Sequence, residues 1–156
     1  MSVSPELLKA LSDERIAVRA FVELLQHEQV LLTENSTDLL PALAEQKSVQ
    51  AAQLNELSGT RHRLLDQLLP AADNAAILSW FESNSRECLL LWQEIVSLAK
   101  QSKRLNNING ELIQMKLRHN QQSLTALTRA VSQANVYGPD GQTNFSPGSG
   151  RSLGSV

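Results

Sequence analysis

Three histidines, His27, His62 and His119, are the side chains best suited to metal or proton chemistry, so their neighbours decide whether such chemistry is built in. A carboxylate metal site in a helical bundle needs Glu-x-x-His, which turns both ligands inward from one helix. The residues three before these histidines are Leu24, Gly59 and Lys116, so that pattern is absent. Glu23 and His27 stand one helical turn apart, a spacing far commoner as a surface interaction than as a metal site. Phosphotransfer histidines normally precede a lysine and a glycine that help hold the phosphoryl group, and none of the three does. No glycine-rich phosphate loop, no Ser/His/Asp arrangement and no inward-looking carboxylate pair stands out. The expectation is a helical interaction protein with no catalytic residue, no metal and no cofactor.

The totals bound the fold. A chain of 156 residues suits one domain, and its 42% hydrophobic content supports a core. Aromatics are only 4%, and the apolar residues are mostly leucine and alanine, which lose little rotamer freedom in helices; the class is therefore all-α. Cys88 is the single cysteine, which excludes an intrachain disulfide framework, fits a reducing cytosol and reads as an ordinary core residue. No basic segment followed by an apolar run opens the chain, and no charge-free stretch approaches eighteen residues, so neither a cleavable signal nor stable membrane insertion is expected. Residues 1–84 carry 6 basic and 12 acidic side chains, whereas residues 85–156 carry 8 and 4. An acidic first half packing on a basic second half accounts for this better than a nucleic-acid site. Such a site would want clustered cations with stacking aromatics, and Tyr137 and Phe145 stand well away from Lys100, Lys103 and Arg104.

Ser4-Pro5-Glu6 reads as a cap, a proline at the first helical position and an acid at the positive end of the dipole. The stripe Leu8, Leu11, Val18, Val22, Leu25 and Leu32 follows steps of three and four, with Arg15 and Gln29 as polar members. Leu7, Phe21, Leu24 and Leu31 widen it beyond a two-helix seam. Residues 33–38 read as a turn. Thr37 is a candidate cap for the second helix, whose regular start could equally lie nearer Leu40 because of Pro41. From there Leu43, Lys47, Gln50, Leu54, Leu57, Arg61 and Leu64 keep heptad spacing, giving an antiparallel hairpin. A one-to-two-turn connector follows at 75–82. The reading is a single helical domain over residues 1–135, helical at about 5–33, 38–69, 75–82 and 85–134, followed by a flexible Gly/Ser/Pro-rich tail at 136–156.

Residues 85–135 hold no proline, and one helix of that length would run about 75 Å. Its stripe runs through Leu91, Ile95, Leu98, Leu105, Asn109, Ile113, Leu117, Asn120, Leu124, Leu127 and Val131. Asn109-Gly110 marks either a turn or a point inside one continuous helix. The in-phase spacing favours continuity, with Gly110 explained equally by tight packing or by a hinge. If this helix runs back along the hairpin, roughly 15 to 20 residues, or about 22–30 Å, overhang its end. Leu117, Leu124, Leu127 and Val131 then form an uncovered apolar stripe and a partner site, unless the helices are offset or two copies pair.

The runs Leu24-Leu25-Gln26-His27-Glu28-Gln29, Asn109-Gly110, Leu112-Ile113, Tyr137-Gly138-Pro139-Asp140-Gly141-Gln142-Thr143 and Gly150-Arg151-Ser152-Leu153-Gly154 resemble the FlgN family of flagellar type III export chaperones. The resemblance implies a cytoplasmic chaperone that binds the hook–filament junction proteins FlgK and FlgL, delivers them to the export gate and catalyses nothing. It also implies cargo binding by the C-terminal amphipathic region and docking on the gate's cytosolic domain through the tyrosine that follows it, here Tyr137, which could alternatively plug the helix end. A self-associating coiled coil or a signalling four-helix module is the competing reading, and a homo-oligomer is compatible with either.

Overall fold

The computed structural model describes residues 3–136. Four α-helices, α1 (Pro5–Thr33), α2 (Leu40–Leu68), α3 (Asn74–Asn84) and α4 (Arg86–Val136), are joined by short turns, with no strand among the described residues. The all-α class and its two N-terminal helices, short connecting helix and very long last helix are as the composition and spacing require. The chain divides into two compact units, Met1–Leu112 and Ile113–Val156.

Local chemistry sets the helix ends. Ser4 Oγ accepts the Leu7 N–H at 3.2 Å, and Pro5 occupies the first turn, where its missing donor is harmless. α1 ends as Asn35 turns left-handed at φ 59° and the Ser36 N–H reaches the Leu31 carbonyl at 3.0 Å, the closure for which asparagine and glycine are preferred. Thr37 does not cap α2. It opens a 3-10 turn, Thr37–Leu39, and α2 follows from Leu40 with no side-chain cap, because Pro41 already removes one of the N–H groups a cap would serve. Asp73 accepts the Ala76 N–H at 2.8 Å and starts α3 a residue earlier than the expected connector, so α3 makes three turns.

In the first unit the start of α1, the end of α2, α3 and the start of α4 share one core. Leu7, Leu11, Leu65, Phe81, Cys88, Trp92 and Ile95 meet there, and Leu7, Leu11, Phe81 and Cys88 are fully buried. Burial raises the Cys88 thiol above its usual range, in keeping with a core role. A second cluster of Leu24, Leu31 and Leu43 closes the other end of the α1–α2 hairpin. α4 runs parallel to α1: Glu94 pairs with Arg15 and Arg19, and Asn109 Nδ2 donates to the Leu25 carbonyl at 2.9 Å.

Between the two clusters the seam is polar. Arg61 of α2 grips Glu14 of α1 through Nε and Nη2 at 2.8 and 3.1 Å, with its guanidinium carbon 4.9 Å from the centre of the Trp92 ring. Glu28 of α1 accepts from Lys47 Nζ at 3.2 Å and from Asn109 Nδ2 at 2.8 Å, joining three helices. These contacts bear on two expectations. Glu14 and Glu28 are inward-looking carboxylates, but fourteen residues of helix, about 21 Å, separate them, and each is neutralised by its own cation. Arg15 and Arg19 of the acidic half pair with Glu94 of the basic one, the opposite sign to that expected.

α4 passes Gly110 without a break. A methyl group there would meet nothing within 4 Å, which removes tight packing as the reason for glycine. Gly110→Ala is therefore expected to raise stability by about 0.5–1 kcal/mol through lower chain entropy in the unfolded state, read from urea midpoints. A loss of stability would restore the hinge.

Candidate partner-binding surface

The second unit is built on the remainder of α4. Steps of four and three place Ile113, Leu117, Asn120, Leu124, Leu127 and Val131 on one helical face, within roughly an 80° arc and along about 27 Å. Leu117 is 62% exposed, Leu124 58%, Leu127 62% and Val131 52%. Isolated exposed leucines are ordinary, but a periodic row of them is not. Arg118, Gln122 and Arg129 occupy the opposite face, and no acidic residue occurs between Glu111 and Asp140, so the surroundings of the stripe are cationic. Leucine, glutamine and alanine are strong helix formers, which keeps the segment helical with its apolar face exposed.

The other residues singled out by type are dispersed. His27, His62 and His119 are exposed at separate positions, and no group of three His, Cys, Asp or Glu side chains gathers among the described residues. No helix among the described residues is long and apolar enough to cross a membrane. Tyr137 and the tail lie outside the described residues.

Residues 1–144 match the family described as FlgN protein. The chain belongs to the FlgN family. It is 32% identical over 130 residues to the flagella synthesis protein FlgN of Yersinia enterocolitica, covering 83% of this chain and 82% of the relative. The protein of the same name from Yersinia enterocolitica serotype O:8 / biotype 1B matches to the same extent. No solved structure matches significantly. FlgN membership gives the chain a flagellum-related role and agrees with the resemblance, although the family match ends at residue 144, before the run at 150–154.

Three polar residues of the first unit are buried: Asn109, already on the α4 stripe, at 0% exposed, and two that side-chain type alone misses, Glu14 at 5% and Glu28 at 4%. A signal existed for the acids. Glu14 lies three residues after Leu11 and four before Val18, and Glu28 lies three after Leu25 and four before Leu32, so both fall on the α1 stripe. Lys47 and Arg61, polar members of the α2 stripe, require anions opposite them.

Proposed function

We propose that the chain is a cytoplasmic flagellar export chaperone that captures hook–filament junction proteins on the α4 stripe and delivers them to the cytosolic domain of the export gate. The observation that carries this is the row of exposed apolar side chains from Ile113 to Val131, along about 27 Å of helix, in a member of the FlgN family. The chain acts by binding, not by catalysis. An amphipathic segment of the cargo lays its apolar face against Leu117, Leu124, Leu127 and Val131, which shields that segment from premature assembly. Tyr137, just beyond α4, is the gate contact.

Leu124→Ser together with Leu127→Ser tests it by calorimetry with a purified hook–filament junction protein. The expected result is at least about a hundredfold weaker binding, since two interface leucines are each worth about 1.5–3 kcal/mol when fully covered. Helicity should not change, because both side chains already face water. Undiminished cargo affinity would remove the stripe from the mechanism. In the same assay Tyr137→Ala keeps cargo affinity and weakens binding to the gate domain. A second reading rests on the heptad spacing of the stripe, which suits pairing with another copy through Asn120 as a register-setting polar position. Light scattering separates the two readings: a dimer that persists with cargo bound favours self-association.

A further inference from the structure

The first unit leaves an open groove between α2 and α4, floored by α1. Two cavities of about 470 and 430 Å³ adjoin along it and share Ser102 and Lys103. Val18 and Phe21 of α1, Leu54 of α2 and Ile95 of α4 supply its apolar floor, interrupted by the Glu14–Arg61 pair. The cause lies in α2, which buries Leu43 near one end and Leu64 and Leu65 near the other, with no buried side chain between. The stretch between is pinned near its two ends by the Lys47–Glu28 and Arg61–Glu14 pairs instead. On α4 the lining runs from Trp92 to Asn106, about 21 Å, or four turns of a docked helix.

The charge of the groove selects its occupant. Lys100 and Lys103 stand exposed on its rim without an ion-pair partner among the described residues. Among the described residues Glu14 is the only acid lining either cavity, and both its oxygens are taken by Arg61. An entering helix therefore meets apolar side chains below and uncompensated ammonium groups beside it. We propose that this groove docks an amphipathic helix of a partner protein, about four turns long, with Asp or Glu flanking its apolar face opposite Lys100 and Lys103. The site lies wholly within Met1–Leu112 and does not depend on the chaperone reading of the α4 stripe.

The test uses the full chain and two synthetic, terminally capped fourteen-residue helical peptides with identical leucine stripes, flanked in one by glutamates and in the other by lysines. The acidic peptide is expected to bind at least about tenfold tighter and to shift the amide resonances of Leu54, Ile95, Lys100 and Lys103. K100E/K103E should lose at least tenfold of that binding while keeping its helicity, because both lysines are exposed. The Leu124→Ser/Leu127→Ser chain should bind the peptide as before, which separates this site from the cargo stripe. Equal binding of the two peptides, no binding at millimolar concentration, shifts confined to residues 113–136, or unchanged affinity in K100E/K103E would overturn the proposal. So would a single-stranded oligonucleotide or anionic vesicles displacing the peptide from Lys100 and Lys103, or a dimer of the free chain that K100E/K103E dissociates; these would assign the groove to a polyanion or to a second copy.

Discussion

Phe81→Ala lowers the unfolding free energy by about 3–5 kcal/mol, a large share of the roughly 5–15 kcal/mol that holds a domain of this size. Phe81 is fully buried, lies edge-on to Trp80 with ring centres 5.6 Å apart, and packs in the cluster that joins α1, α2, α3 and α4. Truncation leaves a cavity that cannot collapse, because its walls belong to four helices that must remain in register. α3 has eleven residues, too few to be helical in isolation, so it depends on this packing. Urea unfolding followed by circular dichroism should show the full loss, and amide exchange in α3 should quicken first. A loss below about 1 kcal/mol would mean that α3 is dispensable to the core. In contrast, the stripe substitutions at Leu124 and Leu127 should leave the unfolding midpoint almost unchanged.

Glu14→Ala should cost about 3 kcal/mol, although Glu14 contributes little apolar surface. Its removal strands the Arg61 guanidinium, whose side chain is 16% exposed, with only Ser58 Oγ at 2.8 Å and the Trp92 face for company. Desolvation of an unpaired cation, more than the lost attraction, sets the size of the effect. Combining Glu14→Leu with Arg61→Met should therefore recover most of the loss, since a well-packed apolar pair often matches a buried ion pair. The double-mutant cycle from urea midpoints checks this, with a coupling above about 1.5 kcal/mol expected. Additive losses would show that the two residues act independently. Glu28→Ala should cost less, because the Lys47 side chain is 26% exposed and its ammonium can turn to water.

These two cases mark what could be read from side-chain order. The buried leucines of α1 announce themselves by spacing, and Leu7, Leu11, Leu25 and Leu32 are all less than 2% exposed. The stripe residues of α2 from Leu43 to Leu64 are likewise partly or fully covered, as their heptad spacing requires. Glu14 and Glu28 escaped notice because a carboxylate is ordinarily a surface group, and only a cation supplied from another helix makes its burial tolerable. Thr37 failed as a cap because the turn around it tightens into a 3-10 segment before Pro41, a choice that depends on how α2 must approach α1.

From the sequence alone follow the helices, their apolar faces, the FlgN resemblance and the leucine row ending at Val131, since each rests on local backbone preference and on spacing within one element. Tertiary structure decided which polar residues go inside and whom they meet: Glu14 with Arg61, Glu28 with Lys47 and Asn109, and Glu94 with Arg15 and Arg19. It also decided that α2 and α4 part over α1 and leave Lys100 and Lys103 beside an open apolar floor. The reason is range. Helix periodicity is set within one turn, whereas an ion pair or a groove depends on residues far apart in the chain, whose proximity no local rule specifies.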